Sequence, residues 1–101
     1  MNNNIIQLKQ NAEQARLIGS IDFSNVLKVL DSGLRYVAQT QTPIFDFSEI
    51  EKANSAGIAL MLAWWREATR LKKKIQWLHI PKNICALIKV SDLEKILEVA
   101  C

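Results

Sequence analysis

Ser55, His79, Asp46, Cys85 and Cys101 are the residues whose type and position invite a chemical reading. Ser55 stands in EKANSAGIALML (residues 51–62), where Asn54-Ser55 lead into Ala56-Gly57 and then an almost pure hydrocarbon run. A serine nucleophile needs a neighbouring base. His79 is the only histidine, and nothing in the sequence pairs it with Ser55; it reads as a partly buried strand residue. Asp46 follows Phe45 in an apolar stretch and reads as a cap or brace for the loop leading to Ser55. The sequence holds no glycine-rich phosphate loop, zinc-ligand spacing or paired-carboxylate motif, so it points away from an enzyme and implies no cofactor or metal.

Ser55 admits two other readings. A phosphate there would meet the free N–H groups and positive dipole end of the following helix, and beside an apolar contact its charge would break that contact. A plain helix-capping serine fits the same residues. The two cysteines have neither the spacing of a metal knuckle nor the density of a disulfide scaffold. Cys85 reads as a reduced core residue.

The 101 residues, half hydrophobic and 23% charged, specify one globular domain. The net charge of +3 is concentrated in Arg66, Arg70 and Lys72-Lys73-Lys74, where a helix is expected to end and cations complement its dipole. Without aromatic residues interleaved among these cations, nucleic acid is not an expected partner. The apolar run Ala56 to Trp65 is about half of what a bilayer crossing needs, and Met1 to Asn4 lack the start of a secretory signal. A cytoplasmic location is expected.

Positioning these residues requires alternating strands and helices. NIIQLKQ and EQARLIGSI, separated by Asn11-Ala12, predict a hairpin. DFSNVLKVLDSGLRYVAQ predicts the first helix, capped by Asp22 or Ser24, with Val26, Val29, Leu30, Gly33, Leu34 and Val37 on one face. PIFDFS predicts a buried strand. The second helix is expected from Ser55 to about Lys73, with Ser55 or Asn54 supplying its capping oxygen. KIQWLHI predicts a strand carrying Ile75, Trp77 and His79 on one side. A third helix follows Pro81, with Ile84, Leu87, Ile88 and Cys85 inward, and a short helix spans Leu93 to Val99 behind Ser91-Asp92. This order implies a mixed sheet with helices over it and right-handed crossovers between the later strands.

The second helix is too apolar for a helix that covers only its own sheet. Gly57, Met61, Trp64, Trp65, Ala68 and Leu71 form the core stripe at 100° per residue. Ala59, Leu62 and Ala63 lie off it and Ile58 at its border, so a neighbouring helix or a partner protein must cover them.

IFDFSEIEKANSAGIALML, followed by a basic helix end, a strand and PKNICALIKVSDLEKIL, resembles the STAS domain, the fold of anti-sigma factor antagonists and of sulfate-transporter tails. The resemblance implies an α/β STAS fold over residues 1–101, a mixed sheet of about four strands with helices packed over it. In the antagonists the loop reads Asp-Ser-Ser-Gly, and the serine before glycine is phosphorylated; Asn54, Ser55, Ala56 and Gly57 stand at these positions, so Ala56 replaces the usual acceptor. NSAGIALML is similar instead to the MlaB-like STAS subunits of the Mla phospholipid-transport ABC system, which maintains outer-membrane lipid asymmetry.

That resemblance implies a non-catalytic accessory subunit. It would bind an MlaF-like cytoplasmic ATPase, in complex with an MlaE-like permease and an MlaD-like substrate-binding subunit, and meet the membrane only through them. The contact surface would comprise Asn54, Ser55, Ala56, Gly57, Ile58, Ala59 and Leu62 with Phe23, Leu27 and Leu30 of the first helix. The alternative is an anti-sigma factor antagonist working by partner switching, with Ser55 as a displaced phosphoacceptor.

Overall fold

The computed structural model describes residues 5–99 and residue 101. Asn4, the expected start of the first strand, and the three residues before it lie outside them. Strands β1 (Ile6–Gln10) and β2 (Ala15–Ile21) form the hairpin, followed by α1 (Leu27–Gln39), β3 (Ile44–Ala53), α2 (Ala56–Arg70), β4 (Gln76–Leu78), α3 (Lys82–Val90) and α4 (Glu94–Leu97). The hairpin turn is closed by Asn11, whose side-chain oxygen accepts from the N–H groups of Glu13 and Gln14 at 2.7 and 2.9 Å. The sheet order is β1-β2-β3-β4, with β1 antiparallel to β2 and the other pairs parallel. This is the mixed four-stranded α/β architecture expected from the sequence.

The helices stack on one face of the sheet. Phe45 on β3 lies parallel to Trp64 of α2 with centroids 4.2 Å apart, and meets Tyr36 of α1 edge-on at 5.3 Å and Trp77 of β4 at 5.6 Å. The indole N–H of Trp77 donates to the Leu97 carbonyl at 3.0 Å, which brings α4 to the same face. A least dimension of 19 Å agrees with two layers, a sheet and a helix layer each about 10 Å thick. Strand alternation turns Asp46 to the opposite face.

Several boundaries differ from expectation. Helix α1 starts at Leu27, beyond both expected caps, because Asp22 and Asn25 close a separate turn and Val26, which offers no capping side chain, precedes the helix. Strand β3 runs five residues past Ser48, its polar end held by pairing with β2 through two register shifts. Strand β4 has only three residues: it ends before His79, whose φ of 57° takes the chain out of the extended region. Helix α2 ends at Arg70, and Lys72 adopts φ 60°. Helix α4 is confined to Glu94–Leu97, with no side-chain cap.

The lysine run does not serve the dipole of its own helix alone. Lys73 Nζ donates to the Val37 and Ala38 carbonyls at 2.8 and 2.9 Å, placing its charge at the end of α1. Leu87 is 37% exposed and faces outward, while Ile84 and Ile88 carry the inward stripe of α3. Cys85 is not a free core thiol: it is half-buried and joined to Cys101, with Cα atoms 5.5 Å apart. No helix among the described residues is long and apolar enough to cross a membrane.

Candidate functional site

The register aligns Ile21 with Ala53, so the loops leaving β2 and β3 emerge side by side. They deliver the starts of α1 and α2 to the same end of the sheet. In the second loop the cap comes from Asn54, whose side-chain oxygen accepts from the Ala56 N–H at 2.8 Å, while its carbonyl accepts from Gly57 at 2.9 Å. Ser55 is exposed, helical in φ and ψ, and makes no capping hydrogen bond. Its hydroxyl is left for other uses.

The next residues turn inward. Ala56 is fully buried and Ile58 is 8% exposed. A Cβ on Gly57 would lie 3.3 Å from Ile84 and 3.9 Å from Ile21, so the close approach this glycine permits is that of α3 and β2. Of the small residues in the expected contact surface, Ser55 and Ala59 are exposed.

In the first loop, Asp22 accepts hydrogen bonds from the backbone N–H and hydroxyl of Ser24. Asn25, 1% exposed, donates to the Ser20 carbonyl at 2.8 Å and accepts from the Asp22 N–H at 3.1 Å. These bonds fix a tight turn that leaves Phe23 65% and Leu27 75% exposed. Asn25 was not among the residues expected at the site; its signal in the sequence is an Asp and an Asn three apart between strand and helix, a pair suited to turn closure.

Between the two helix starts runs a groove of about 160 Å³ lined by Val26, Leu27, Leu30, Ala59, Leu60 and Ala63, all apolar. Leu27, Leu30 and Ala59, three of the expected contact residues, line this groove together with Val26, Leu60 and Ala63. Phe23 and half-buried Leu62 stay outside the groove lining, and Ile58 belongs to the core. The groove is apolar, with Leu27 exposed in its lining; Phe23 is exposed in the loop before α1, and Asn54 and Ser55 are exposed in the loop before α2.

Asp46 does not brace the loop to Ser55. On the other sheet face, it accepts from the Ser48 N–H and hydroxyl, both at 3.0 Å, and pairs with His79 Nδ1 at 2.9 Å. Burial pushes its carboxyl up, but the bonds from His79 and Ser48 and the His79 charge outweigh this and hold it below the ordinary value. His79, expected to be partly buried in a strand, is exposed just beyond β4. Among the described residues, no hydrogen bond joins it to Ser55.

A family model described as "Mlab, STAS domain" matches residues 6–98. No curated protein sequence matches the chain. Among solved structures, the chain is similar to the anti-sigma factor antagonist SpoIIAA in its unphosphorylated form, with a TM-score of 0.68 and 16% identity over 96% of this chain and 100% of that one. It is similar also to phosphorylated SpoIIAA from Bacillus, with a TM-score of 0.67 and 20% identity over 90% and 86% of the two chains. A STAS domain protein from Planctomyces limnophilus gives 0.66 and 13% identity over 90% and 85%. At these identities the structures share the fold.

Proposed function

The chain belongs to the STAS domain family, and from that membership we propose that it is a non-catalytic accessory subunit of an ABC phospholipid transporter that binds the cytoplasmic ATPase. The observation that carries this reading is the apolar groove at the starts of α1 and α2, with Leu27 exposed in its lining and Phe23 exposed in the loop before α1. Burying such a surface against a partner removes apolar area from water, and its depletion in charge suits the centre of an interface. Ser55, whose hydroxyl is not spent on capping, supplies a hydrogen bond across the contact. The ATPase in turn connects the chain to the permease and the substrate-binding subunit, which places it on the cytoplasmic side of the inner membrane.

Affinity capture of the tagged protein from its native membrane fraction in mild detergent tests this, with Ser55→Arg beside wild type. An ABC ATPase and permease captured by wild type alone are expected, because a desolvated, unpaired charge costs several kcal/mol in order of magnitude. Equal capture by both proteins would sink the reading. The fold of Ser55→Arg is expected to survive, since the side chain is exposed. A second reading, an anti-sigma factor antagonist with Ser55 as phosphoacceptor, draws on that same exposure; capture of a kinase and phosphate on Ser55 would favour it. Ala56, at the usual acceptor position, is fully buried and has no hydroxyl.

A further inference from the structure

Away from the groove, β4 and α3 border an open cleft of about 490 Å³ that holds the Cys85–Cys101 disulfide in its wall. Trp77, His79, Lys82 and Lys89 line the same cleft, and no Asp or Glu is among its lining residues. Asp46 lies behind His79, bonded to Nδ1. Of the two cysteines, Cys101 is exposed and Cys85 half-buried, so a nucleophile from solvent reaches Cys101 first.

We propose that Cys85–Cys101 is a reversible thiol–disulfide exchange site whose cationic cleft selects anionic thiols. The attacking thiolate bonds to Cys101 Sγ, the Cys85–Cys101 bond breaks, and Cys85 leaves as a thiolate. A second thiol of the reductant then attacks the mixed disulfide, releasing Cys101 as a thiolate and the reductant as its own disulfide. Two electrons pass from reductant to protein, and the released thiolates take up protons from water. The cations attract a negatively charged attacker into the cleft and disfavour a positive one.

Re-formation is favoured, because the chain leading to Cys101 is anchored as far as Val99 without the sulfur bond. Leu97 is 1% exposed, its carbonyl accepts from Trp77, and the Val99 N–H donates to Glu94 at 3.2 Å. Reduction therefore leaves the two sulfurs near each other, and an oxidised low-molecular-weight disulfide can restore the bond by the reverse exchange.

The full chain purified without reductant is treated with iodoacetamide under denaturing conditions and its intact mass measured. An unalkylated mass and a peptide linking Cys85 to Cys101 are expected; alkylation of both cysteines overturns the proposal. Reduction is then followed with glutathione, an anionic thiol, and cysteamine, a cationic one, at equal thiolate concentration. Glutathione should act several-fold faster on wild type, and the order should invert in the Lys82→Glu/Lys89→Glu variant, whose altered residues are both exposed. An order unchanged by the double substitution overturns the role of the cleft.

Discussion

Asn54 and Ser55 divide two tasks that either residue type can perform. Asn54 closes the first turn of α2 through its side-chain oxygen, while Ser55 keeps its hydroxyl outward. Asn54→Ala is therefore expected to lower stability by about 1 kcal/mol, and Ser55→Ala to change it by less than about 0.5 kcal/mol, both read by urea denaturation. From sequence both were candidate caps, because the choice depends on backbone dihedrals that residue type does not set. Asp46 was legible as a constrained carboxylate but not its partners, since Ser48 is two residues away and His79 thirty-three. A carboxyl held below its ordinary 3.8 in the folded state stabilises the protein above that value and loses the contribution as pH falls through the lowered one. Asp46→Asn should cost about 1 kcal/mol at neutral pH and flatten the acid limb of a stability-against-pH curve. A variant curve parallel to wild type would contradict this account of Asp46.

At the scale of elements, α1 and α2 are fitted to each other at Gly33, where an added Cβ would fall 2.2 Å from the Trp64 ring. The same indole donates to the Leu30 carbonyl at 3.1 Å, so ring position and helix separation are set together. Gly33→Val should destabilise the protein by about 2–3 kcal/mol, because a rigid ring in a filled core cannot step aside, and equilibrium unfolding reads the loss directly. Hydrophobic periodicity made both helices visible in the sequence, and Gly33 and Trp64 both fell on inward stripes. It did not show their contact, which is a pairing of two elements rather than a property of either. The late start of α1 and the long polar end of β3 were hidden for related reasons. One depends on a local Asp22–Asn25 turn that competes with helix, the other on pairing along β2. Lys73 likewise looked like an end charge for its own helix, while its bonds reach the end of α1.

Across the whole molecule, a one-sided sheet places α1 and α2 side by side and brings their starts to one end. The apolar groove follows from that topology: the loops after β2 and β3 are neighbours because their strands are parallel partners. The excess apolarity of α2 was legible as unpaired surface. Helix α1 covers part of it, and the groove with Leu27 exposed in its lining remains. The role proposed for this surface is to bind the ATPase of an ABC transporter. Its most direct test is the affinity of the purified ATPase for wild type, for Leu27→Asp in the groove, and for Val90→Asp on α3, where the apolar side chain is also 85% exposed. Leu27→Asp should weaken binding at least about tenfold, with wild type and Val90→Asp alike. Equal affinity for all three, or a loss confined to Val90→Asp, would contradict it.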